Sequence, residues 1–157
     1  MMKICTLLIP AVFFLTDLDG SILDEVRASY NKLASDKVLC EKLIFELTNT
    51  KNISATQLAY LGSLQIIWAN HVFSPAGKLH TFKEGKKNIE QAIKREPHNA
   101  ELRFVRLSVQ KNAPSFLGYR PNIAEDTEFI RKNRDQIKSA VVQENIELLL
   151  KDKPFNK

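Results

Sequence analysis

"GKKNIEQAIKREPHNAE", residues 85–101, decides the fold. Gly85, Ile89, Ala92 and Ile93 recur three and four residues apart and so share one face of a helix. Pro97 has no amide with which to continue that helix, and it restricts the residue before it as well. Asn99 follows, a residue type whose side-chain oxygen can take up an amide in the first turn of a new helix. The spacing therefore predicts one helix over 78–96, with Phe82, Ile89 and Ile93 inward, and another over about 100–111, carrying Leu102, Val105 and Val109. A connection this short makes the two an antiparallel hairpin.

The same alternation of apolar stripe and capping signal extends in both directions. Upstream, Ser54 with Gln57 forms a capping box ahead of a helix over about 55–72. Leu58, Leu61, Leu64, Ile66, Ile67 and Trp68 cover most of its circumference, which marks it as central and buried. Before it lie helices over 22–34, capped by Ser21 with Asp24, and over about 36–48, carrying Leu39, Leu43 and Leu47. Downstream, Asn122 caps a sixth helix with Phe129 and Ile130 inward, and a seventh covers roughly 135–151 with Val142, Ile146 and Leu149. The expectation is an all-α fold of about seven helices stacked as antiparallel hairpins. It forms a single domain over 21–151, and the tail 152–157 should fray.

Composition agrees with a globular chain. Of 157 residues, 44% are hydrophobic and 26% charged, and only five are glycine, which disfavours disorder and all-β architectures. The net charge of +5 is mild, and the run "KEGKKNIEQAIKRE" mixes both signs at helical spacing. It reads as a solvated face and not as a nucleic-acid stripe, so no nucleic-acid partner is expected.

Residues 1–20, "MMKICTLLIPAVFFLTDLDG", differ from everything after them. Lys3 precedes an apolar run over 4–15, and Asp17 and Asp19 follow at once. The run spans about 18 Å as a helix, short of a hydrocarbon core of about 30 Å, and Pro10 would kink it. This is signal-peptide anatomy without a clear cleavage site. It places the mature chain in the periplasm or at the cell surface, with membrane contact only through the export signal. After cleavage Cys40 stands alone in "KVLCEKLIFEL", where a small buried hydrophobe is the preferred reading over a nucleophile.

Two resemblances bear on the fold. Tetratricopeptide repeats carry W-x2-L-G-x2-Y in a first helix and A-x3-F-x2-A-x4-P through a second. Leu58, Leu61 and Gly62 fit the first half, with Gln65 in place of the aromatic. Gly85, Ile89, Ala92 and Pro97 fit the second, with Gly and Ile in place of Ala and Phe. Small residues at Gly62, Gly85 and Ala92 would let helix backbones approach closely. The two halves lie about eleven residues further apart than the standard repeat allows, so the chain resembles a divergent helix-pair domain with one recognisable repeat. At a finer level, "GKKNIEQAIKREPHNAELRFVRLSVQKNAPSFLGYRPNIAED" and "LAYLGSLQIIWANHV" are similar to an uncharacterised family of small secreted proteins of the Bacteroidota, "PSFLGY" being the most distinctive piece. That resemblance implies a helical fold and export, and it implies no activity.

No chemical motif stands out. His71, His80 and His98 lack ligand spacing, so no metal is expected. There is no phosphate loop and no nucleophile elbow, no residue is singled out as catalytic, and no cofactor is called for. The acids of "EDTE", residues 125–128, suit the first turns of a helix. Arg103, Arg106 and Arg120 form a candidate guanidinium cluster for a carboxylate or phosphate. The preferred alternative pairs them with Glu101, Glu125 or Asp126, or with backbone carbonyls. Trp68 is expected in the core.

One loop has the wrong composition. "NAPSFLGYRP", residues 112–121, holds Phe116, Leu117 and Tyr119 between Pro114 and Pro121, with Gly118 free to adopt a positive φ. The preferred expectation is that these hydrophobes fold back to close the core. The alternative is that Phe116 and Tyr119 anchor a partner. Analogy with helix-pair proteins makes non-catalytic binding of a protein or peptide, or scaffolding in the cell envelope, the leading functional expectation. Two alternatives stand beside it: an envelope enzyme with an unrecognised site, and a cytosolic nucleic-acid module should the N-terminal run not be a signal.

Overall fold

Ser54 opens the helix on which the rest is built. Its hydroxyl accepts the Gln57 amide at 3.1 Å, and the Gln57 side chain accepts the Ser54 amide at 2.9 Å, completing the capping box. In the computed structural model, which describes residues 18–151, this helix is the third of seven α-helices with no strand among the described residues. They are α1 (Leu18–Ser29), α2 (Lys37–Thr48), α3 (Ala55–Trp68), α4 (Pro75–Arg95), α5 (Ala100–Asn112), α6 (Ile123–Asn133) and α7 (Ala140–Lys151). Short 3-10 turns occur at Tyr30–Lys32, Ala69–His71, Ser115–Leu117 and Arg134–Gln136. The fold is all-α.

The helix α3 is buried on several sides, as its nearly continuous apolar sequence requires: Leu58, Ala59, Tyr60, Leu61 and Leu64 are all in the core. It packs on α2, α4 and α5. Against α4 it runs antiparallel and very close. A Cβ placed on Gly62 would stand 2.5 Å from the Gly85 carbonyl oxygen, and a Cβ on Gly85 would run into the Gly62 carbonyl. Ile89 and Ala92, fully buried, fill the groove beside the glycines, and Asn88 donates to Gln65 at 2.8 Å across it. Small residues thus set the interhelical distance here.

The pair α5–α6 is also antiparallel but is joined by charge: Arg106 on α5 meets Asp126 on α6 in a bidentate pair at 2.7 Å. The N-terminal α1 lies against α2 and α7, and its Arg27 side chain reaches Glu101 on α5. Val26, Leu33, Leu43 and Leu47, all fully buried, seal it to the core.

Several local expectations are corrected. Ser21 lies inside α1, which already begins at Leu18, so it does not cap that helix. The α4 helix starts at Pro75, three residues earlier than its apolar stripe suggests. Ser74 caps it by accepting the Gly77 amide at 3.1 Å, and proline at the first position loses no hydrogen bond. Asn122 makes no capping bond; its side chain donates to Glu125 and accepts from Gln110. The seventh helix begins at Ala140, after the separate turn Arg134–Gln136. Trp68 is half-buried rather than in the core, with Lys37 Nζ 5.4 Å from its ring centroid and His71 beside it. The signal-like run up to residue 17 and the tail 152–157 lie outside the described residues.

Candidate functional site

Three helices begin around one cleft. Thr56 in the first turn of α3, Asn99 and Glu101 at the start of α5, and Ser139 just before α7 line an open space of about 580 Å³, which Asp24 and Arg27 of α1 and the 136–138 segment close. The caps explain the convergence. Asn99, placed by Pro97 after the end of α4, accepts the Glu101 amide at 2.9 Å and donates to Glu96 at 2.8 Å. These two hydrogen bonds fix the hairpin and point the second residue of α5, Glu101, at α1.

Glu101 is the hub. Its two carboxylate oxygens accept from Arg27 Nε at 2.7 Å and Nη2 at 2.8 Å, and Tyr60 Oη donates to it at 2.9 Å. Tyr30 adds its hydroxyl to Ser108 Oγ at 2.7 Å and meets the Tyr60 ring edge-on at 5.4 Å. Burial, reinforced by the nearby Glu101 charge, raises the Tyr60 phenol well above its ordinary pKa. Burial opposes the Arg27 charge, but its hydrogen bonds to Glu101 and the Coulomb attraction of that carboxylate raise its pKa. Tyr60 is therefore a fixed neutral donor and Arg27 a fixed cation, a clamp tying α1, α3 and α5. On the open side of the clamp the cleft carries both signs, with the Asp24 carboxylate 76% exposed and Lys138 exposed on the rim. Hydroxyls of Thr56 and Ser139 and the amide of Gln136 add donors and acceptors.

The candidate arginines sit elsewhere and are occupied. Arg106 is 4% exposed and pairs with Asp126, itself fully buried, and with Glu90 at 2.9 Å. Burial works against its charge, but the Asp126 and Glu90 carboxylates raise its pKa all the same. Arg103 bonds Glu125 and Asp126, each at 3.1 Å, and the Pro97 carbonyl at 3.3 Å. Arg120 donates to the Ala113 carbonyl at 3.1 Å, satisfying the end of α5. The guanidinium cluster is thus an internal brace, with backbone carbonyls and carboxylates in the places a ligand anion would take. Glu101, weighed as a partner for these arginines, instead takes Arg27.

The 112–121 loop divides its aromatics. Tyr119 is 2% exposed, donates to Glu90 Oε1 at 2.7 Å and meets Phe82 edge-on at 6.1 Å. Leu117 is half-buried against the core. Phe116, by contrast, is 86% exposed, so the expected inward plug is made by Tyr119 and Leu117 and not by Phe116. Pro114 starts the 3-10 turn, and Gly118 follows it at φ 63°, the left-handed region.

Cys40 is fully buried, donates weakly to the Leu64 carbonyl at 3.7 Å, and its thiol is pushed up to about 11 by burial. Among the described residues no group of three or more His, Cys, Asp or Glu side chains is arranged to hold a metal ion, and no helix is long and apolar enough to cross a membrane. Comparison with protein families, curated proteins and solved structures finds no match to this chain. The sequence pointed to the Arg103–Arg106–Arg120 set and missed the cleft. Its residues come from four separate stretches, and no local pattern joins Arg27 to a carboxylate 74 positions away.

Proposed function

We propose that this chain is an exported, non-catalytic binding protein, a divergent relative of helix-pair repeat proteins that holds a peptide segment of a partner in the cell envelope. The cleft at the starts of α3, α5 and α7 carries the reading. It is open, of a size usual for ligand sites, and lined by donors, acceptors and charges of both signs. Such a lining matches a peptide, whose backbone offers an amide and a carbonyl at every residue. The clamp beneath it keeps the floor rigid, which lowers the entropy lost on binding. The signal-like N-terminal run supports export.

The test is site-specific photo-crosslinking in the organism's own envelope fraction, with the probe at position 56 or 138 and a control probe at position 132 on the outer face of α6. Mass spectrometry should find adducts on a peptide segment of envelope proteins from the cleft positions alone. Adducts only on cytosolic proteins or nucleic acid, or equal labelling from all three positions, would overturn it. N-terminal sequencing of the native protein checks export independently: an intact residue 1 on a cytosolic product would sink that part.

A further inference from the structure

The turn that joins α3 to α4 carries the most exposed large hydrophobe among the described residues. Phe73 stands wholly clear of the surface, at 102% relative exposure, and Leu79 near the start of α4 is also exposed. The backbone that presents Phe73 is fixed on both sides. Val72 N donates to the Ala69 carbonyl at 3.4 Å, and Ser74 caps α4 through the Gly77 amide. Val72 packs so closely on Gly77 that a Cβ there would stand 2.8 Å from its side chain. Half-buried Trp68 extends the apolar surface: its ring lies 5.4 Å from that of His71, and Lys37 Nζ is 5.4 Å from its centroid. Contacts and chain continuity thus run from Lys37 through Trp68, His71 and Val72 to Phe73 and the first turn of α4.

The charge on this tip leans one way. From Leu47 to Lys83, a stretch that includes α3, the turn and the start of α4, there is no Asp or Glu. Lys78 lies exposed in that stretch, close to the positive end of the α4 dipole. Lys37 adds a second ammonium from α2. Its neighbour in sequence, Asp36, is occupied as the cap of α2, accepting the Leu39 amide at 3.0 Å.

We propose that the α3–α4 turn docks the protein on an anionic lipid bilayer. Phe73 enters among the acyl chains, Trp68 rests at the level of the headgroups, and Lys37 and Lys78 reach lipid phosphates. A bilayer suits a ring on a convex turn better than a protein does, because lipid closes around the ring while a protein would need a fitted pocket. No described helix is long and apolar enough to cross a membrane, so the contact is peripheral. It needs nothing from the cleft, which opens at the start of α3, about 20 Å along that helix from Trp68.

Trp68 is the sole tryptophan, so its emission reports on this tip alone. The experiment uses the protein in the form its own cells accumulate, with vesicles of phosphatidylcholine alone or with about one-third phosphatidylglycerol. The mixed vesicles should carry the protein in flotation, shift Trp68 emission to the blue, and quench it when their acyl chains are brominated. Phe73→Ser should weaken binding about tenfold or more with its thermal midpoint unchanged, while Phe45→Ser, another exposed ring, leaves binding intact. Lys37→Glu/Lys78→Glu should remove the preference for the anionic vesicles. The proposal is overturned by no flotation, by flotation that leaves Trp68 emission unshifted and unquenched, or by equal losses in Phe73→Ser and Phe45→Ser. A photo-crosslinking probe at position 73 that labels an envelope protein and no lipid would overturn it as well.

Discussion

The α3–α4 and α5–α6 interfaces are both antiparallel and both buried, but opposite physics holds them. Between α3 and α4 two glycines bring backbones almost into contact, with Ile89 and Ala92 filling the remaining space. Between α5 and α6 a fully buried carboxylate takes two hydrogen bonds from Arg106 and one from Arg103. The first interface tolerates no added atom, while the second tolerates no removed partner. Shape and charge are alternative ways of fixing which helix lies against which, and this chain uses one for each hairpin.

Five variants would break or sharpen that contrast. Asp126→Ala removes both hydrogen bonds of the bidentate pair and one of Arg103's, leaving the buried Arg106 with Glu90 alone, and it should lose about 3–5 kcal/mol in urea denaturation. Replacing the pair outright, Arg106→Met with Asp126→Leu, should recover most of that loss; a double variant as unstable as the single would mean the charges themselves hold the interface. Next, Gly85→Ala should cost about 1–3 kcal/mol, because the obstacle is a backbone carbonyl that cannot rotate aside. A neutral result there would show that α3 and α4 slide apart freely.

Alkaline pH probes the phenols that border both hairpins. Burial raises the Tyr60 and Tyr119 phenols above the ordinary value of 10.0, so above that pH the unfolded chain releases protons that the folded chain retains. Stability from this source is complete below about pH 10 and falls as pH rises further. The urea midpoint should hold from pH 8 to about 9.5 and drop towards pH 11, less steeply in Tyr119→Phe. A midpoint flat to pH 11 would show the phenols to be accessible. Smallest of all, Phe116→Ala should change stability by no more than about 0.5 kcal/mol, since the ring buries almost nothing. A loss of about 3–5 kcal/mol would place it in the core instead.

What the sequence disclosed follows the range of each interaction. The Ser54 box and the Asn99 cap act over two or three residues and are legible, as is the small-residue spacing of Gly62, Gly85 and Ala92. Asn122 has the right type in the right place but turns to Gln110 and Glu125, because side chains from α5 and α6 compete for it. Within one loop Tyr119 turns in and Phe116 out. Gly118 stands between them, and its left-handed backbone redirects the chain in a way composition does not reveal. The cleft lay beyond reach altogether, since it exists only where the starts of three helices meet.

The Arg27–Glu101 clamp has a consequence in time. The guanidinium precedes its carboxylate by 74 residues. At a synthesis rate of about 5–20 residues per second, α1 waits roughly 4–15 seconds for the group that fastens it. Throughout that interval the first hairpin lacks its charged tie to α5 and has only its contacts with α2, such as the Lys42–Glu25 pair, to hold it.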